Sequence, residues 1–163
     1  MAAYCVIVTI LFVILIISAT YTTRQTKRLF RICCKEIARY KSDCSTLNQW
    51  LFAEIDGRCL ESYFNNRGVK TIAIYGVNEL ARRLIDKFRY SEKVEIKYLI
   101  DKRGKEILAP VPVYKIEELK NDYACGAELV VVALVSIYDE IRESLESATD
   151  IPITSLETII NEL

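Results

Sequence analysis

Residues 71–84 read TIAIYGVNELARRL, and they decide how the chain folds. Ile72, Ala73, Ile74 and Tyr75 form a short apolar run that stops at Gly76. From Leu80 onward the apolar positions Leu80, Ala81, Leu84, Ile85 and Phe88 recur at steps of three and four. That pattern predicts a buried strand, a tight turn and an amphipathic helix. A second apolar run, Val94 to Ile100, ends in Asp101, 25 positions after Gly76. Strand, glycine turn, helix, strand and acid is the βαβ arrangement that binds dinucleotides. In such a unit the glycine permits the sharp turn. The N–H groups opening the helix face a phosphate, and the acid accepts the ribose hydroxyls. The predicted ligand contacts are therefore Gly76, Val77, Asn78, Glu79 and Asp101, with Val135, Ser136 and Ile137 lining the crevice from the next strand.

The glycine pattern departs from GxGxxG at one place. Gly76-Val77-Asn78-Glu79-Leu80-Ala81 keeps the first glycine and a small sixth residue, but Asn78 stands where the middle glycine lets a pyrophosphate approach the backbone. Asn tolerates left-handed backbone angles, so the turn forms. Its side chain crowds a diphosphate, and Glu79 adds negative charge.

Outside that stretch, the alternation continues. Asp101-Lys102-Arg103-Gly104-Lys105 is a polar turn and PVPVY (110–114) an edge strand. Residues 115–120 form a brief helix, and ELVVVAL (128–134) is a strand buried on both faces. Ser136 is placed to cap a helix over 137–147, Pro152-Ile153 to form a last strand, and Thr154 with Glu157 to open the terminal helix as a capping box. The expected domain is α/β, a Rossmann-like parallel sheet of about five strands over 68–163. Its predicted order runs PVPVY, VEIKYLI, TIAIY, ELVVVAL, Pro152-Ile153.

The N-terminal third reads differently. Tyr4 to Tyr21, YCVIVTILFVILIISATY, carries no charge and is followed by Arg24, Lys27, Arg28, Arg31, Lys35, Arg39 and Lys41 against Glu36 alone. Only Met-Ala-Ala precedes it, too little for the basic start of a cleaved signal peptide. Hydropathy and the positive-inside rule predict a single-span transmembrane anchor over 1–23 with its N-terminus outside. A basic juxtamembrane helical segment over 24–67 follows, and the globular domain lies on the cytoplasmic face of the membrane. Within 24–67, Asp43 or Ser45 is placed to cap a second helix, Asp56-Gly57 to break it, and Arg67-Gly68 to close a short third one. The basic face either rests on anionic lipid or acts as a solvated spacer.

Composition narrows the chemistry. The 163 residues include no histidine, which removes the commonest general base and zinc ligand. Cys5, Cys33, Cys34, Cys44, Cys59 and Cys125 form no CxxC pair, so reduced thiols and no metal are expected; acylation of Cys33 and Cys34 is a further option. Residues 24–70 carry ten basic against five acidic side chains, a net of +5, and residues 71–163 twelve against seventeen, a net of −5. An acidic domain argues against nucleic acid as a partner.

KTIAIYGVNELARRLID, KYLIDKRG, PVPVYKIEEL, LVVVALVSIYDEI and IPITSLETII, preceded by LNQWLFAEIDGRCLESYFNNRG, occur in that order. This series resembles small Rossmann-like proteins of bacterial surface-polysaccharide gene clusters, many of them labelled nucleoside-diphosphate-sugar epimerase-like. They are related to the nucleotide- or CoA-binding domains of membrane-bound nucleotide-sugar enzymes and sugar acetyltransferases. The resemblance covers roughly residues 45–163. It implies an NAD(P), nucleotide-sugar or CoA-like ligand at Gly76 to Glu79 and Asp101. It also implies a glycosyltransferase or other polysaccharide-synthesis enzyme as partner; a second copy of the chain is a separate candidate. Three functions remain open: a binding module anchored at the membrane, a non-catalytic interaction scaffold with a degenerate site, and an NAD(P)-dependent epimerase or dehydratase. The third normally uses a Tyr-xxx-Lys pair on a helix. Here that spacing occurs only at Tyr98 and Lys102, across a strand end, while Tyr138 and Arg142 have helical spacing but lack a usable base.

Overall fold

The computed structural model describes residues 1–104, 109–120 and 126–163, without the side chains of residues 2–6, 8–10 and 120. Lys105, Cys125 and the side chains of Tyr4 and Cys5 lie outside the described residues. The chain divides into two compact units, Met1–Tyr40 and Lys41–Leu163.

The first unit is part of one helix, α1 (Ala2–Ile55). Its threonines stay helical by turning their hydroxyls back onto the preceding turn. Thr20 donates to the Ile17 carbonyl at 2.8 Å, Thr23 to Ala19 at 2.7 Å and Thr26 to Thr22 at 2.9 Å. The expected transmembrane anchor is corrected here. Among the described residues no helix is long and apolar enough to cross a membrane. Nor does a new helix begin at Asp43 or Ser45, since α1 continues through both.

The second unit is built on five strands: β1 (Thr71–Tyr75), β2 (Glu95–Ile100), β3 (Val113–Tyr114), β4 (Leu129–Val132) and β5 (Ile153–Ser155). They form one parallel sheet in the order β3-β2-β1-β4-β5, as the sequence predicts. Alternation within the strands separates two cores. Ile72, Ile74, Leu99, Val131 and Ala133 face one side, where α2 (Leu60–Asn66), α3 (Glu79–Phe88), α5 (Leu156–Asn161) and the end of α1 cover them. Ala73, Tyr75, Tyr98, Ile100, Val130 and Val132 face the other, beneath α4 (Tyr138–Glu146) and the 3₁₀ turn Ile116–Lys120. Each fully buried Ile, Leu or Phe contributes about 1.5–3 kcal/mol, which is why a sheet covered on both sides reads as unbroken apolar runs.

Residues 41–55 of α1 belong to this unit through Thr46, Trp50 and Ala53, buried at helical spacing. Glu54 then joins α1 to α3, accepting from the Trp50 indole at 3.1 Å and from Lys87 at 2.7 Å. Gly57 (φ +78°) follows the end of α1, and Gly68 (φ +70°) closes α2 with its N–H on the Asn65 carbonyl.

Two predicted caps move. Val135–Ile137 is a 3₁₀ turn, so α4 starts at Tyr138 and Ser136 caps nothing. At the C-terminus Thr154 lies within β5, and Ser155 is the cap. Its hydroxyl accepts the Thr158 N–H at 3.0 Å. One further residue of strand moves the cap by one position, from Thr154 to Ser155.

Candidate functional site

β1 and β4 are neighbours that run in the same direction, while the connections leaving them go to opposite edges of the sheet. Such a reversal opens a crevice at the carboxyl ends of the strands, where α/β proteins hold ligands. Gly76, Val77, Asn78 and Glu79 lie here, together with Asp101 from the end of β2 and the segment after β4.

Gly76 has φ +91°, and its N–H donates to the Ile100 carbonyl at 2.8 Å. A Cβ at this position would sit 2.6 Å from Leu134 Cγ. The glycine is required both by its backbone angle and by close approach of the Leu134 side chain, two residues past β4.

Asn78 is the N-cap of α3. Its Oδ1 accepts the Ala81 N–H at 2.9 Å, and its Nδ2 donates to the Ala133 carbonyl at 2.9 Å and to Asp43 Oδ2 at 3.4 Å. The residue that breaks the glycine pattern therefore ties together α3, the end of β4 and α1. Asp101 closes the loop from the other side. Its Oδ2 accepts the Val77 N–H at 3.2 Å, and its Oδ1 accepts the Arg103 N–H at 3.0 Å and Nε at 3.2 Å. Two N–H groups that a phosphate loop offers to its ligand, those of Val77 and Ala81, thus have carboxylate and amide partners from within the chain.

Glu79 does not point negative charge into the crevice. It lies along α3, 2.9 Å from Arg83 and 3.7 Å from Arg82. Beneath the loop, burial and the Asp101 and Glu117 carboxylates push the Tyr75 phenol above its ordinary value. Across the crevice Val135 is half-buried against the α3-side core, whereas Ser136 and Ile137 are exposed.

Tyr98 is buried in β2 and Lys102 is exposed in the following turn, so the pair shares no helix. Tyr138 and Arg142 do share α4, with the Tyr138 hydroxyl donating to the Ile153 carbonyl at 3.4 Å and Arg142 paired to Glu146 at 2.7 Å. Among the described residues no cluster of acids and thiols is placed to hold a metal ion.

Three participants escape the sequence pattern: Asp43, Leu134 and Arg103. Asp43 lies 35 residues before Asn78, and no local spacing connects them. Leu134 reads as one more strand residue. Arg103 gives the clearest signal, because an arginine two positions after an acid in a turn is well placed to pair with it.

Comparison of the chain with protein-family models, with curated proteins and with solved structures finds no match.

Proposed function

We propose that this chain is a non-catalytic interaction scaffold on a Rossmann-like sheet, with a nucleotide loop closed by its own side chains. The observation that carries this reading is Asn78. Its amide caps α3 at Ala81 and spans to Ala133, at the position where a pyrophosphate needs bare backbone. Displacing that amide would leave the Ala133 carbonyl without its donor, a cost of about 1–3 kcal/mol that a ligand must offset. The resemblance of its motif series to surface-polysaccharide proteins is the ground for taking enzymes of glycan assembly as the partner class.

A second reading, a module that binds NAD(P), a nucleotide-sugar or a CoA-like ligand, is favoured by one observation. Asp101 and the turn at Gly76 meet at the strand reversal, where such a ligand would place ribose and phosphate. Thermal unfolding of the full-length chain against NAD, NADP, UDP-sugars and CoA separates the two. A ligand at a hundred times its Kd stabilises by about 2.7 kcal/mol, a shift of several degrees. The scaffold reading expects no shift with any of them. A shift with one class, lost in Asp101→Ala, overturns it in favour of the binding module.

A further inference from the structure

In the first unit, Phe30 and Ile37 are 69% and 68% exposed, and Tyr40 is 73% exposed. These residues are not scattered. Phe12, Ile16, Ala19, Thr23, Thr26, Phe30, Cys33, Ile37 and Tyr40 follow one another at alternating steps of four and three. This is the a/d repeat of a two-stranded coiled coil over about four heptads. All nine positions are uncharged. Arg24, Lys27, Arg28, Arg31, Lys35, Glu36, Arg39 and Lys41 all fall outside them. A single helix has no means of burying such a stripe, and one helix is all this unit contains.

We infer that α1 pairs with α1 of a second copy of this chain, in parallel and in register, along the seam through Phe30, Cys33, Ile37 and Tyr40. The occupant is selected by the flanking charges. With Phe30 and Ile37 at a, Glu36 occupies g and Lys41 the next e. A parallel, in-register pair sets each Glu36 against Lys41 of the other chain. An antiparallel pair opposes g to g and e to e, bringing acid to acid and lysine to lysine. Within one chain Glu36 bridges Arg39 at 2.8 Å, with both side chains about half exposed; such an exposed pair adds little, so pairing exchanges it for Lys41 of the second copy. Arg24, Arg28, Arg31, Lys35 and Arg39 fall at b, c and f, facing away from the seam. The inference is independent of any ligand in the crevice and goes beyond the scaffold reading.

Neighbouring thiols supply the test. Cys33 is a d position and Cys34 an e position, both exposed. Full-length variants retaining only Cys33 or only Cys34 are oxidised with copper phenanthroline, and dimer formation is followed on non-reducing gels. Sedimentation equilibrium under reducing conditions gives the mass. The expected outcome is a dimeric mass, with Cys33 cross-linking about tenfold or more faster than Cys34. Ile37→Asp lowers the dimer affinity by about tenfold or more. Glu36→Lys weakens the dimer severalfold, and Glu36→Lys with Lys41→Glu restores it, which neither a misfolded helix nor an antiparallel pair would do. A monomeric mass, equal cross-linking of the two thiols, or no recovery in the double swap overturns the inference.

Discussion

Two helices open over the carboxyl ends of adjacent strands, α3 after β1 and α4 after β4, and they begin in different ways. The start of α3 is fixed by Asn78, whose side chain holds Ala81 and Ala133, with Asp101 holding Val77 beside it. The start of α4 has no side-chain cap. A 3₁₀ turn, Val135–Ile137, leads into it and leaves Ser136 exposed. In a nucleotide-binding domain the first helix is the one whose N–H groups are kept for phosphate. Here the first is closed and the second is open. The difference lies in where the polar groups of each loop are bonded, and it makes the two starts respond differently to mutation.

The largest effect is expected at Gly76. Ala there combines an unfavourable positive φ with a contact to Leu134, and should cost about 3 kcal/mol in denaturant unfolding. Combining it with Leu134→Ala should recover about 1 kcal/mol relative to the sum of the single changes. Additivity would remove the close approach from the account.

Next is the contrast between the helix starts. Asn78→Ala should destabilise by about 2 kcal/mol, from a lost cap and an undonated carbonyl, whereas Ser136→Ala should stay within about 0.5 kcal/mol. Equal effects at the two positions would erase the distinction. Asp101→Asn should cost about 1 kcal/mol, because the neutral amide still accepts from Val77 more weakly and the exposed Arg103 pair adds little.

The smallest effect is at the opposite end of the sheet. Glu128 accepts the Lys70 N–H at 2.6 Å and the Thr71 N–H at 3.1 Å, and these bonds hold its carboxyl below its ordinary value. A depressed carboxylate stabilises above its unfolded pKa, and that contribution fades as pH falls through the folded one. Glu128→Gln should therefore lower Tm slightly at neutral pH, with the gap to the parent chain closing under acid.

Much of the second unit was legible because apolar runs and glycine turns are local signals. TIAIY, VEIKYLI and ELVVVAL lie in the expected strand order, and Gly76 turns where its lack of a Cβ is needed. Features that depend on a neighbour were not legible. The alternation of EIKYLI places Ile96 and Tyr98 on one face. The register shift opposite Ile72 and Ala73 passes over Lys97 and sends Tyr98 to the other face, beside Tyr114. The partners of Asn78 come from β4 and α1, so its sequence position revealed the missing glycine but not the cap that replaces it. At the N-terminus, summed hydropathy predicted a span. The threonines that interrupt the run stay within an unbroken helix because their hydroxyls bond to its own carbonyls.

Hydrogen exchange at the Val77 and Ala81 amides of the ligand-free, full-length chain tests the closed loop most directly. First-turn amides normally exchange readily because they lack an intrahelical partner. The account predicts protection at both, with Ala81 losing it in Asn78→Ala by more than the change in global stability explains. Rapid exchange at both in the parent chain, or protection at Ala81 that survives Asn78→Ala unchanged, would contradict it.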